Sequence, residues 1–239
     1  MIGKQKEAFW GHFTHWSEER KMTGLLVAGI LDMAIVYPLV SVVESNVAIY
    51  VINSVVISAI LLFGLVTLTP GKIGRRVIGA VVIAAISLRL VHLVFGADWL
   101  TGWEISLSLI TVIMFVYLLL RDVYKEGPVT RLRIEGAVAA YLLIALAFAA
   151  AYHMTSYLVP GAFRFPDGAP NVGDPRFGFN FHYYSFTTIT TLGYGDIVPV
   201  HPFARTLAMI EALIGQLYPA TLLARLVSLY ILHSQRPDK

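Results

Sequence analysis

The sequence predicts an all-α, polytopic membrane protein with six transmembrane helices and a shorter re-entrant helix between the last two. Composition is the first reason. The 239 residues are 57% hydrophobic and only 14% charged, whereas a soluble domain of this length needs a more polar surface. The second reason is that the apolar residues fall into long runs, and a helix of ~20 such residues crosses the hydrocarbon core of a bilayer. The lack of cysteine in the sequence excludes disulfide bonds and thiolate metal sites.

Six apolar segments approach the length of a span. The predicted spans are Met22–Val43, Val47–Leu68, Val77–Gly96, Trp103–Leu120, Gly136–Leu158 and Phe203–Leu232. The pair Gly127-Pro128 interrupts helix propensity between the fourth and fifth spans, which divides the chain there. The expected organisation is an N-terminal segment (1–21), a four-helix transmembrane domain (22–121), a linker (122–135), a two-helix domain (136–232) and a tail (233–239).

The basic residues predict the orientation of these spans. Most of the 18 Lys and Arg residues lie in the N-terminal segment, the loop after the second span, the linker and the tail. The alternate loops, near Glu44–Asn46 and Ala97–Gly102, contain none. The positive-inside rule therefore places both termini and the linker in the cytoplasm. We expect a plasma-membrane protein, and a compact chain without sorting signals is typical of a prokaryotic inner membrane.

Two further features concern the ends of the chain. Phe9, Phe13 and Trp16 recur at helical spacing, which predicts an amphipathic helix on the inner leaflet, with a disordered tail as the alternative. Only a short tail follows the sixth span, so we expect no cytoplasmic ligand-binding domain there.

The segment between the last two spans does not have the composition of an ordinary loop. Pro160–Gly178 is rich in Gly and Pro and predicts exposed extracellular turns. The stretch Phe181–Thr190 is aromatic and hydroxylated, lacks Asp, Glu, Lys and Arg, and is too short to cross a membrane. Its length suits a helix that enters the membrane and stops within it.

The next six residues carry a resemblance to a known family. Thr191-Leu192-Gly193-Tyr194-Gly195-Asp196 closely resembles the selectivity filter of potassium channels, commonly written T-V-G-Y-G-D, with Leu in place of Val. The resemblance covers the pore region, from about Arg131 to Leu232, and implies a potassium-selective channel that conducts passively and is not an enzyme. Potassium would be the permeant ion, and we expect no cofactor. The first four spans match six-helix members of the family only in number and topology.

The resemblance also implies the roles of the filter residues. The carbonyl groups of Thr191, Leu192, Gly193 and Tyr194, with the Thr191 hydroxyl, would replace the water that potassium loses on entry. The Leu192 and Tyr194 side chains would pack outward against the re-entrant helix. One filter segment supplies a quarter of a ring of carbonyls, so we expect a homotetramer in lipid, with no nucleic-acid partner.

The residues expected to support the filter are Gly195, Asp196, Tyr183 and Thr187. Gly193 and Gly195 tolerate the positive φ angles that bring successive carbonyls to one side. Asp196 would lie at the outer mouth, where its spacing allows a hydrogen bond from Tyr183, although a solvated carboxylate is the alternative. Thr187 stands where some family members carry a Glu behind the filter. The sequence therefore does not predict how the filter inactivates.

The sixth span contains a candidate hinge. Gly215 is flexible, and Pro219, four residues later, has no N–H to donate to the Gly215 carbonyl. We expect this span to bend there and gate the cytoplasmic mouth, with a fixed kink or close helix packing as the alternative. Glu211 and Arg225 are charges within this span. We expect structural pairing of Glu211, which would support the re-entrant helix, with an inhibitor or ion site as the alternative, and Arg225 near the inner interface.

Strong voltage gating is not expected. The fourth span carries no basic residue before Arg121 at its cytoplasmic edge, whereas a voltage sensor needs several charges in one helix. Asp32 in the first span and Arg89 in the third lie at similar depths, so we predict a buried Asp32–Arg89 ion pair. A lone gating charge at Arg89 is the alternative.

Two other functions remain open from the sequence. A weakly selective cation channel would use the same pore. A membrane transporter or enzyme is less well supported, because we find no nucleophile motif, phosphate loop or metal-binding spacing, and no inverted pair of broken helices.

Overall fold

A computed structural model describes most of the chain. The described residues are 37–43, 46–68, 71–95, 98–125, 130–166 and 177–234, together with 24, 27, 30, 34 and 168. The predicted amphipathic segment at 1–21, half of the predicted first span, and Asp32 of the predicted ion pair lie outside these residues.

Helices make up nearly all of the described structure. They are α1 (Tyr37–Val42), α2 (Asn46–Leu68), α3 (Gly71–Phe95), α4 (Thr101–Val123), α5 (Arg131–Leu158), α6 (Phe177–Ile189) and α7 (Pro202–Ser234). A 3₁₀ turn, Asp98–Leu100, precedes α4. Two short antiparallel strands, β1 (Phe163–Arg164) and β2 (Val198–Pro199), pair Phe163 with Pro199 and Arg164 with Val198.

Four described helices are long and apolar enough to cross a membrane. Their spanning parts are Val47–Leu65, Thr101–Val123, Arg133–Leu158 and Pro202–Arg225. These correspond to the predicted second, fourth, fifth and sixth spans. Helix α3 covers the predicted third span but is not one of the four, so the count of six spans stays a prediction.

The predicted linker at 122–135 is partly helical. Helix α4 continues to Val123, and α5 begins at Arg131, five residues before the predicted start of the fifth span. The Thr130 carbonyl accepts the first helical hydrogen bonds, from the N–H groups of Arg133 and Ile134. Hydropathy marks where the apolar residues end, but a helix of good helix-forming residues continues beyond that point into water.

A single hydrophobic cluster joins the two predicted transmembrane domains. Buried residues of α2 to α7 contribute to it, including Phe115 of α4, Leu143 of α5 and Ile189 of α6. In a bilayer the lipid is as apolar as these side chains, so close van der Waals packing rather than removal from water stabilises such contacts. The four-helix domain and the two-helix domain are therefore packed against each other within one chain.

A second cluster, mostly aromatic, holds α6 in place. The Tyr152 ring of α5 meets the Tyr184 ring of α6 edge-on, with 4.9 Å between centroids. Phe163 of β1 meets Phe181 of α6 at 5.1 Å. Because β1 pairs with β2, the segment before α6 is tied to the segment that follows residues 191–196.

Candidate functional site

The candidate site begins at the carboxyl end of α6. This helix has 13 residues, a length of about 20 Å at 1.5 Å per residue, which is too short for a ~30 Å hydrocarbon core. Thr188 Oγ1 donates to the Tyr184 carbonyl and Thr190 Oγ1 to the Phe186 carbonyl, each at 2.7 Å, and Tyr141 Oη donates to the carbonyl of the last residue, Ile189, at 2.9 Å. The helix therefore ends inside the protein without unpaired carbonyls at these positions.

The backbone after α6 alternates in conformation. Thr191, Gly193 and Gly195 have φ angles of 59°, 51° and 77°, and Leu192 and Tyr194 between them do not have positive φ. Glycine adopts positive φ at little cost, but a β-branched threonine does so at about 1–2 kcal/mol. Positive φ was predicted from the sequence for the two glycines but not for Thr191. Alternation of this kind turns successive carbonyl groups toward the same side of the chain.

The amide groups of this segment are anchored to α6. The N–H groups of Leu192 and Gly193 both donate to the Thr187 carbonyl, at 2.9 and 3.0 Å, and that of Thr191 donates to the Thr188 carbonyl at 2.9 Å. Thr187 thus contacts residues 192 and 193 through its backbone, while its hydroxyl donates to the Tyr184 carbonyl at 3.0 Å.

The carbonyl groups of the same segment do not accept hydrogen bonds from the described residues. Within the described residues, no hydrogen bond ends on the carbonyl of Thr191, Leu192, Gly193 or Tyr194. The segment therefore presents donors toward α6 and leaves its acceptors unpaired, an arrangement suited to binding cations rather than anions.

Asp196 is held at the end of the segment. Tyr183 Oη donates to Asp196 Oδ2 at 2.7 Å, the hydrogen bond expected from the spacing. The Ile197 N–H donates to Oδ1 at 3.0 Å. The Tyr183 ring also stacks on Tyr194, with centroids 6.4 Å apart and planes inclined by 4°.

Two apolar side chains of the segment are not buried within one chain. Leu192 is 56% exposed and Tyr194 is 67% exposed. Tyr194 stacks on Tyr183 of α6, in line with the expected packing against the re-entrant helix. The single chain therefore covers these two side chains only in part.

Gly215 and Pro219 lie within one uninterrupted helix. Helix α7 runs from Pro202 to Ser234 with Pro219 inside it. Gly215 is buried, and a Cβ atom there would overlap the backbone carbonyl of Ile189. This contact supports the close-packing alternative for Gly215, and bending of the helix stays a prediction.

Arg89 lies in a buried polar cluster that was not predicted from the sequence. Its Nη2 donates to Ser108 Oγ at 2.7 Å, and its guanidinium lies within electrostatic range of Glu104. Glu104 accepts hydrogen bonds from Tyr50 Oη at 3.1 and 3.2 Å and contacts His92 Nδ1 at 2.9 Å. The only signal in the sequence was the intramembrane charge of Glu104 at the start of the fourth span.

Arg225 has partners on another helix. It donates to the carbonyls of Val123, Tyr124 and Lys125 at 3.1, 2.9 and 3.2 Å, and its guanidinium carbon lies 4.8 Å from the centre of the Tyr124 ring. The last turn of a helix carries unpaired carbonyls and a partial negative charge, which a guanidinium neutralises. Arg225 therefore links α7 to the carboxyl end of α4.

Comparison with known proteins identifies the region that contains this site. Residues 140–231 match the family model described as "Ion channel". The match is shorter than half of the chain and includes most of α5, all of α6, residues 190–201 and most of α7. No curated protein and no solved structure matches the chain. The match supports passive ion conduction and a non-catalytic role for this region and, together with the apolar helices, indicates a membrane protein.

Proposed function

We propose that this protein is a subunit of a homotetrameric channel that conducts potassium selectively and passively across the plasma membrane. The segment Thr191–Asp196 is its selectivity filter, and α6 is its pore helix. In this proposal both termini lie in the cytoplasm, six helices span the membrane, and potassium is the permeant ion rather than a cofactor.

One observation carries the proposal: positive φ angles alternate along the filter at Thr191, Gly193 and Gly195. A cation that sheds its water needs oxygen ligands at fixed positions, and consecutive carbonyls supply them when all point to one side. The amides of Leu192 and Gly193 hold this conformation by their hydrogen bonds to Thr187. The filter carbonyls would therefore be preorganised as ligands before an ion arrives.

The exposed surfaces of the single chain support a symmetric assembly. Leu192 and Tyr194 are more than half exposed. Helix α7 is also largely uncovered and carries a row of exposed apolar side chains, namely Met209, Ile210, Leu213, Leu217 and Leu223. Four copies around an axis would close the carbonyl ring and cover the filter side chains with neighbouring subunits.

The proposed channel is not strongly voltage-gated. The basic residue of α4 lies in its last turn, at Arg121. Moving one charge through the membrane potential yields only ~2.3 kcal/mol per 100 mV, so steep voltage dependence needs several charges.

The test is cation flux through liposomes that contain the purified protein. We expect potassium flux that barium blocks and that sodium does not replace. Gly193→Ala should abolish selectivity or flux, because alanine disfavours the positive φ there. Gly161→Ala is the matched control: Gly161 also has positive φ, at 81°, and open space around a Cβ, but it lies outside the filter.

Three outcomes separate the alternatives. A reversal potential near zero in opposed potassium and sodium gradients would identify a weakly selective cation channel with the same pore. A monomer that binds no potassium and passes no current would favour a transporter or an enzyme. A fourfold assembly with a potassium-selective reversal potential supports the proposal.

A further inference from the structure

A buried carboxyl group joins three helices behind the proposed filter. Glu211 of α7 is 0% exposed. Tyr152 of α5 donates its hydroxyl proton to Glu211 Oε2 at 2.5 Å, and Ser185 of α6 contacts Glu211 Oε1 through its Oγ. The same Ser185 Oγ lies 2.6 Å from the carbonyl oxygen of Ala145 in α5. No basic side chain of the described residues interacts with this carboxyl group.

The number of protons in this cluster can be counted. The contacts Tyr152–Glu211, Ser185–Glu211 and Ser185–Ala145 each join two oxygen atoms at hydrogen-bond distance, so each needs a proton between them. Tyrosine and serine hydroxyls contribute one proton each, and a backbone carbonyl contributes none. With a carboxylate at 211, one of the three pairs would have only lone pairs facing each other. A third proton on Glu211 gives each pair its own hydrogen bond, whereas a carboxylate would leave the single Ser185 proton to serve two acceptors.

We infer that Glu211 is a neutral carboxylic acid that donates to Ser185 and accepts from Tyr152, and so positions the pore helix α6 between α5 and α7. Ser185 then donates to the Ala145 carbonyl, and every polar atom of the cluster is paired. The significance for the filter rests on the proposed function, but the protonation state does not.

A second buried glutamate provides a contrast. Glu104 faces the Tyr50 hydroxyl and His92 Nδ1, and it lies within range of the Arg89 cation. The Tyr50 hydroxyl donates to Glu104, and His92 can supply the proton of its own contact through its Nδ1–H tautomer. These donors and a positive charge suit an ionised carboxylate. Glu104 is therefore the matched control for Glu211, since it is also a mostly buried acid within a helix but its neighbours require no extra proton.

The test combines infrared spectroscopy with isosteric substitution. A protonated carboxyl group absorbs at a higher C=O stretching frequency than a carboxylate or an amide. We expect the difference spectrum of wild type and Glu211→Gln at neutral pH to contain such a band, shifted by ¹³C labelling of glutamate, and that of Glu104→Gln to lack it. The amide introduced by Glu211→Gln can donate to Ser185 and accept from Tyr152 as the neutral acid does, so this variant should keep the wild-type melting temperature and potassium flux. Glu211→Ala should lower the melting temperature by several degrees and lose flux.

Each outcome decides the inference. The absence of the acid band overturns it. So does a Glu211→Gln variant that fails to assemble, because an amide makes every contact of the neutral acid and would disrupt only an ionised one. Lack of potassium flux in the wild type contradicts the proposed function instead, and leaves the infrared result intact.

Discussion

Gly215 of α7 lies directly against the backbone carbonyl of Ile189, the last residue of α6. A Cβ atom at position 215 would overlap this oxygen and lie 3.0 Å from the Ile189 Cα. The same carbonyl accepts a hydrogen bond from Tyr141 Oη at 2.9 Å, and backbone atoms cannot rotate away as a side chain would. Helix α7 packs this closely on α6 because residue 215 has no side chain.

Gly215→Ala should therefore destabilise the protein by ~1–3 kcal/mol, as overpacking does, and reduce conduction. Gly74→Ala in α3 is the control, because a Cβ there meets no atom within 4 Å and alanine favours a helix over glycine by ~1 kcal/mol. Thermal unfolding in detergent measures both. Similar melting temperatures for the two variants would show that the contact with Ile189 is not tight.

Pro219→Ala tests whether α7 bends. Alanine restores the N–H that proline lacks and should stiffen the helix at Gly215. A change of ~1–2 kcal/mol in the balance between conformations would alter the ratio of open to closed channels about 5–30-fold. Single-channel recording measures this ratio. Pro202→Ala is the control, since Pro202 occupies the first position of α7, where the missing N–H has no helical partner. Unaltered gating in Pro219→Ala would mean a fixed kink.

Arg225→Ala should loosen the contact between α7 and the end of α4. The variant loses three hydrogen bonds from one partly exposed guanidinium, and we expect a cost of ~1–2 kcal/mol. Arg225→Lys keeps the charge but loses the planar guanidinium group. Its stability should therefore lie between those of the wild type and Arg225→Ala. Hydrogen exchange of the amides at the end of α4 reports the loosening. Arg121→Ala, an exposed charge in the same last turn, should leave exchange unchanged.

Tyr183→Phe isolates the hydrogen bond to Asp196. The phenyl ring can still stack on Tyr194, but the 2.7 Å bond is lost, at a cost of ~1 kcal/mol for an exposed group. We expect the filter to enter a non-conducting state more often during sustained recording. Tyr157→Phe removes a hydroxyl for which the described residues provide no hydrogen-bond partner, so currents of this control should match the wild type.

Glu104→Ala should be among the most destabilising substitutions in the four-helix domain. It removes the acceptor for Tyr50 and His92 and leaves the Arg89 cation buried without the nearest carboxylate of the described residues. Breaking a buried charge pair costs ~3–5 kcal/mol. Ser106→Ala, which loses only a bond to the Gly102 carbonyl in its own helix, is the control for thermal unfolding.

The predicted Asp32–Arg89 pair has its own test. A double-mutant cycle of Asp32→Asn and Arg89→Gln should give a coupling energy of ~0.5–3 kcal/mol if the two side chains touch. Additive effects would leave Glu104 and Ser108 as the relevant partners of Arg89.

Helix positions were largely predictable because membrane helices are marked by long apolar runs. Predicted and observed starts agree within one residue for α2 and α7, and the aromatic stretch before the filter forms the short helix α6. The end of α4 was placed too early and the start of α5 too late, because helical hydrogen bonds continue past the apolar residues. The bond from Tyr183 to Asp196 was one of two alternatives that the spacing allowed, and the structure has it.

The partners of buried polar groups were not predictable in the same way. Glu211 and Arg225 were visible as charges in an apolar span, but their partners are 26 to 102 residues away in sequence. Which side chains meet depends on how the helices rotate and cross, and a single sequence carries no direct signal of that.

By itself, the sequence determined the membrane class and the placement of most helices, because both depend on local composition, and the resemblance of residues 191–196 to potassium-channel filters indicated the segment proposed as the filter. Only the tertiary structure decided the positive φ of Thr191, the contact of Gly215 with Ile189, the capping of α4 by Arg225 and the proton required at Glu211. Those features arise where atoms from separate helices come within hydrogen-bond or van der Waals distance, and such distances are set by packing rather than by residue order.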